Sequence, residues 1–162
     1  MKKIVFFLCS LGMFQSMSLT ATTGTTTAST TITYTIGSID AIAVSANPGP
    51  LNITTAVAGS APTAAVDTTT TYAVTTNNSN RKITGALTST MPTGVTFSVT
   101  MAAPTGATSA GTVNLSTIPA SLVTGISNIA QGGLAVTYNL AATVGAGQVS
   151  GSTNTLTFTI GP

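Results

Sequence analysis

The sequence predicts an all-β protein: an antiparallel, immunoglobulin-like Greek-key β-sandwich of about seven to nine strands behind an N-terminal signal peptide. Three observations carry that expectation. Runs in which apolar residues fall at every second position recur along the chain, the period of a strand with one face on a core and one in water. Gly and Pro fall in clusters between the alternating runs and seldom inside them, as hydrogen-bonded ladders require. The chain is rich in Thr, Val and Ile, and charged residues make up only 4% of it, which favours strands and opposes disorder.

The first alternating run is "TTITYTIGSIDAIAVS", residues 30–45, with Ile32, Tyr34 and Ile36 on one face. Leu51, Ile53, Thr55 and Val57 form the next candidate strand. Tyr72, Val74 and Thr76 then precede "NNSN", and Ile83, Gly85 and Leu87 follow it, a pattern that predicts a hairpin with an Asn-rich loop. "GVTFSVTMA" places Val95, Phe97, Val99 and Met101 on one face and is the clearest strand of all. Val113 and Leu115 mark a short one, and Leu134 to Val144 a long one. Leu156, Phe158 and Ile160 mark the last. "NPGP", "MPTG", "APTGATSAG", "QGG" and "GAGQVSGS" are predicted turns. Only "PASLVTGISNIAQ" lacks clean alternation and is expected to be irregular or a strand. Tyr34, Tyr72 and Tyr138 each share a register with apolar neighbours, so all three are expected in the core.

The N-terminus, "MKKIVFFLCSLGMFQSMSLTATT", runs from two lysines through an apolar stretch to small residues, the layout of a secretory signal peptide with cleavage after Ala21 or, since Leu19 is large for the position upstream of that cut, after Ser18. The apolar stretch is roughly half the ~20 residues needed to span a bilayer, so no transmembrane anchor is expected. This divides the chain into a signal peptide at 1–21, a flexible Thr-rich leader at 22–31 and a single sandwich domain at 32–162. Cleavage removes Lys2, Lys3 and Cys9, leaving Arg81 and Lys82 against Asp40 and Asp67. A chain with no net charge lacks the clustered Lys and Arg that nucleic acid binding needs.

The same inventory argues against an enzyme. No His and no Cys remain beside a Ser or Thr nucleophile. Paired-carboxylate chemistry requires Asp40 and Asp67 to meet, and no short loop gathers the carboxylates calcium wants. Arg81 and Lys82 are expected as solvated charges blunting a strand end. The sequons at Asn52, Asn77 and Asn114 are what a Thr- and Ser-rich chain generates by chance. No catalytic residue, cofactor or metal site is expected.

The signal peptide, the short extension, the "TITYTI" strand, the central "TYAVTTN" and "RKITGAL" strands and the terminal "LTFTI" strand together resemble bacterial secreted fimbrial or spore-coat-U-type subunits. That resemblance implies immunoglobulin-like subunits exported through the periplasm. It also implies assembly with the help of a chaperone, with an N-terminal segment donated to the next subunit. Ile32, Tyr34 and Ile36 are then the candidate donated side chains, and the segment 32–45 is either the first strand of its own sandwich or a strand given to a neighbour. The expected role is a secreted structural or adhesive surface protein that self-associates into fimbria-like fibres. The alternative is a monomeric surface module binding a glycan or protein through its loops.

Overall fold

The computed structural model describes residues 27–162. The expected signal peptide at 1–21 and the first half of the expected leader lie outside the described residues. Ile36–Pro162 form one compact unit, built from ten strands: β1 (Asp40–Val44), β2 (Ala65–Asp67), β3 (Thr71–Thr76), β4 (Arg81–Leu87), β5 (Val95–Met101), β6 (Thr108–Ser109), β7 (Thr112–Asn114), β8 (Ala120–Ile126), β9 (Ile129–Ala142) and β10 (Leu156–Gly161).

The strands form two sheets, and every ladder is antiparallel. One sheet runs β1-β3-β9-β5-β7 with β2 also on β9, and the other runs β10-β4-β8-β6. The protein is therefore an all-β, two-sheet antiparallel sandwich. Its spine is the 14-residue β9. The first half of β9 pairs with β3, and its second half lies between β2 and β5.

Alternation makes the core. Tyr72 and Val74 of β3, Val99 and Met101 of β5, and Leu134, Val136 and Tyr138 of β9 point inward from one sheet. Ile83 and Leu87 of β4 and Leu122, Val123 and Ile126 of β8 meet them from the other. Each such side chain, fully buried, contributes about 1.5–3 kcal/mol.

Four sequence expectations are corrected here. The segments flanking "NNSN" are not a hairpin, because β3 belongs to one sheet and β4 to the other. Residues 77–80 carry the chain across the sandwich, and a pair of inward-facing strands has the same alternation whether it is joined by a hairpin or by such an arch. "QGG" is not a turn: Gly132 and Gly133 lie inside β9, where they stand opposite the single residue Ala73. That is a β-bulge, with Gly133 at φ 70 supplying the left-handed backbone it needs. Residues 51–57 form no strand, only an isolated bridge between Ala56 and Pro62, and Val57 is exposed. Finally, Tyr34 is not a core residue (82% exposed), whereas Tyr72 and Tyr138 are buried as expected.

The irregular "PASLVTGISNIAQ" stretch resolves into β8 and the start of β9. Its broken alternation is a second bulge: the register shifts between Ile83↔Val123 and Thr84↔Ser121, so Leu122 and Val123, consecutive in sequence, are both fully buried.

Gly94 closes the lower end of the sandwich. Its carbonyl accepts a hydrogen bond from the Thr143 N–H at 2.8 Å, its φ is +82, and an added Cβ would lie 2.7 Å from Thr143 Oγ1 and 2.9 Å from the Ala146 nitrogen. Gly94→Ala therefore meets both a left-handed backbone, costing about 1–2 kcal/mol, and a contact with backbone that cannot rotate away. The expected result in chemical denaturation is a loss of about 2–4 kcal/mol with the slope unchanged. A loss under 1 kcal/mol would mean that this end of the sandwich is open in solution.

Candidate assembly surface

Residues 27–39 form no strand and are exposed throughout. The three candidate residues fall in this arm, with Ile32 at 77%, Tyr34 at 82% and Ile36 at 77% exposure. The strand expected from residue 32 to 45 begins only at Asp40, because its ladder partner β3 ends at Thr76 and the chain then leaves for the other sheet. The segment is thus divided. Residues 40–44 belong to the chain's own sandwich, while Ile32, Tyr34 and Ile36 precede it in a stretch that forms no strand.

The Asn-rich loop fastens the junction. Asn77 Oδ1 accepts from the Ile39 N–H at 2.7 Å, and Asn77 Nδ2 donates to the Gly37 carbonyl at 2.7 Å. Asn78 Nδ2 donates to Ser38 Oγ at 2.9 Å, to the Ile39 carbonyl at 3.1 Å and to Asp40 Oδ1 at 3.1 Å. Asp40 also accepts from the Thr76 hydroxyl at 2.7 Å and pairs with Arg81 Nε at 3.0 Å. Arg81 is therefore not simply a solvated charge, as expected from the sequence, but the partner of an acid from a strand in the opposite sheet. The Thr76 and Asn78 hydrogen bonds, with Arg81 beside them, hold the Asp40 carboxyl below its usual range.

Asp67 is a loop fastener too. It accepts from the Thr69 N–H at 3.0 Å, the Thr69 hydroxyl at 2.9 Å and the Gly49 N–H at 3.1 Å, and these bonds lower its pKa. The two carboxylates do not meet. Asp40 lies opposite Thr76, which pairs with Ile129, while Asp67 pairs with Tyr138. Nine residues along β9 correspond to about 30 Å, far beyond the reach of a carboxylate pair. Among the described residues no three His, Cys, Asp or Glu side chains cluster.

At one flank the two sheets meet without a ladder between them. β1 and β10, the edge strands of the two sheets, lie beside each other there. The Thr88 N–H donates to the Thr155 carbonyl at 2.9 Å, so by the register of the ladder Thr157 and Thr159 also turn their backbone groups to β4. Leu156, Phe158 and Ile160 consequently turn theirs outward, where no strand among the described residues receives them. Next to this edge is a cavity of about 810 Å³ lined by Leu51, Leu87, Phe97, Tyr138, Leu156 and Phe158 among others, and by no charged side chain. The Phe97 and Tyr138 rings stack in its wall with centroids 6.2 Å apart. A second cavity of about 800 Å³ shares Leu51, Met91 and Leu140 with it.

What fold and surface define together is an antiparallel sandwich with an exposed apolar arm and, beside the β10 edge, a cavity lined by no charged side chain. Comparison with protein-family models, with curated proteins and with solved structures finds no match. No helix among the described residues is long and apolar enough to cross a membrane.

Sequence reasoning named the arm residues but missed Asn77, Asn78 and the Asp40–Arg81 pair. The available signal was the rarity of charge: a chain with so few ions places each one deliberately.

Proposed function

We propose that this protein is a secreted structural surface protein, a fibre subunit that assembles by strand addition, with the arm around Ile32, Tyr34 and Ile36 entering a second copy of the chain. The observation that carries the reading is the arm itself: three large apolar side chains at alternate positions, all more than three-quarters exposed, on backbone that no ladder satisfies. Alternate side chains on an extended segment are what strand addition uses, with backbone hydrogen bonds supplying affinity and pockets supplying specificity.

The outer edge of β10, which carries no ladder among the described residues, supports the same reading. Residues 30–36, fully extended, reach about 23 Å, and the six residues of β10 present an edge of about 20 Å. Side chains two apart on the arm repeat at about 6.6 Å, the spacing of Leu156, Phe158 and Ile160 along that edge. Buried there, Ile32 and Ile36 would each contribute about 1.5–3 kcal/mol.

The test compares a chain starting at residue 22 with one starting at residue 37, which keeps the Asn clamp. The longer chain forms filaments or ladders by electron microscopy and size exclusion. The shorter one is a folded monomer that binds a peptide of residues 27–38. If both are monomers and neither binds the peptide, the strand-addition reading is wrong. The loop-built second cavity favours the other reading, a monomeric surface module that binds a ligand through its loops.

A further inference from the structure

The ladder alone fixes β1 poorly. It is a five-residue edge strand with four residues exposed and only Ile42 half-buried, and it follows directly from the unpaired arm. Small side chains such as Ala41 and Ala43 specify register weakly, and edge strands are where slippage and exchange between copies take place. A slip of one residue would turn Ile42 to solvent. A slip of two keeps Ile42's face but brings Ser38 or Ile42 opposite Thr76, where Asp40 now stands.

The "NNSN" loop supplies what the ladder lacks. The Asn77 side chain accepts from one backbone N–H and donates to the carbonyl two residues earlier, so its amide imitates a peptide group and continues the ladder past the end of β3. Asn78 adds bonds to Ser38, Ile39 and Asp40, and Asp40 reaches Arg81 in the opposite sheet. Asn suits this task because one planar group carries both donor and acceptor. Backbone groups two residues along could replace the Ile39 and Gly37 partners, but the bonds of Asn78 to the Ser38 hydroxyl and the Asp40 carboxylate, the Thr76–Asp40 bond and the Asp40–Arg81 pair are lost if β1 moves by two residues in either direction.

We infer that Asn77 and Asn78 are positioning residues that lock the register of β1 and mark the boundary between the strand the chain keeps and the arm it presents. The register lock stands on the fold alone, and its bearing on assembly rests on the fibre-subunit reading. An arm that enters another copy pulls on whatever follows it. The clamp ends that pull at Gly37, so β1 stays in its own sheet.

The experiment is hydrogen exchange by mass spectrometry on dilute full chain, parent against the N77A/N78A double variant, with limited proteolysis alongside. The amides of 40–44 in the double variant exchange about tenfold or more faster, and proteolytic cuts that stop before residue 37 in the parent extend into 40–44. Amides of 95–101 and 134–138 keep their protection, which separates a local unlocking from general destabilisation. Unchanged exchange at 40–44, or an equal rise in every strand, overturns the inference. If the double variant does not fold, S38A and N77S each remove part of the network without touching the core and show graded increases at the same amides. Absence of filaments in the parent chain would count against the assembly reading and leave this exchange result as it stands.

Discussion

If the arm enters a neighbouring copy as proposed, Tyr34→Asp is expected to abolish polymers of the chain and to leave the melting temperature of the isolated sandwich where it was. The two halves of that result come from one fact, the 82% exposure of Tyr34. In the free subunit the side chain touches little, so replacing it changes stability by less than about 0.5 kcal/mol. In a neighbour's cavity, lined by Leu156, Phe158 and Phe97 and by no charged group, a carboxylate would have no cation to pair with. An unpaired buried ion costs several kcal/mol, which corresponds to an affinity loss of about a thousandfold or more. Ile32→Ser and Ile36→Ser give smaller losses, each removing one apolar contact without introducing charge. Electron microscopy and sedimentation measure the polymers, and circular dichroism measures the fold. Persistent polymers in Y34D would remove the arm from the assembly contact, whereas an unfolded Y34D monomer would place Tyr34 inside its own sandwich.

The sequence disclosed the fold class because period two is a property of single strands, visible without knowing their partners. Val95–Met101 is the cleanest case, since its alternation runs unbroken and the strand falls where the alternation is. Partnership was less legible. Tyr72, Val74 and Thr76 alternate identically whether the chain returns beside them or crosses to the opposite sheet, so the arch at 77–80 was misread as a hairpin. Bulges hid in the same way, by interrupting the period: Gly132–Gly133 imitated a turn, and the consecutive burial of Leu122 and Val123 imitated disorder in the pattern. Leu51, Ile53, Thr55 and Val57 show the converse failure, alternation without a ladder partner, with Leu51 serving the cavity wall instead.

The candidate site divides along the same line. Ile32, Tyr34 and Ile36 were legible as an alternating set, but their exposure was not, because it depends on where β3 ends. The clamp was invisible for a different reason. Its hydrogen bonds join residues 38 to 40 positions apart, and Asn in a loop next to a strand reads as turn chemistry whatever its side chain holds. The Asp40–Arg81 pair reaches across the two sheets, and only the arch between β3 and β4 brings its partners together.

Tyr72→Ala should cause the largest loss of stability that a single side chain of this sandwich can give. The ring is 1% exposed, and its hydroxyl donates to the Ala102 carbonyl, so truncation leaves both a cavity and an unpaired acceptor. The expected cost is about 3–5 kcal/mol out of a total of about 5–15, or roughly 10–20 °C in melting temperature. Tyr72→Phe isolates the hydroxyl: it keeps the ring and costs about 1–3 kcal/mol for the unsatisfied carbonyl. The two variants also differ from the parent in alkali. Burial pushes the Tyr72 hydroxyl up to about 12 from its ordinary 10, and burial raises Tyr138 as well. A folded-state pKa above the unfolded value means that the unfolded chain releases its proton first. This contribution to stability is therefore complete below pH 10 and is lost as the pH rises through about 12. Urea titrations at pH 7 and pH 11 should show the parent losing more stability between the two than Y72F, which has one fewer buried phenol to ionise but retains Tyr138. Tyrosinate absorbance from Tyr72 that develops near pH 10 while the fold persists would mean that the ring reaches water, and the packing of β3 against the opposite sheet would then have to be redrawn.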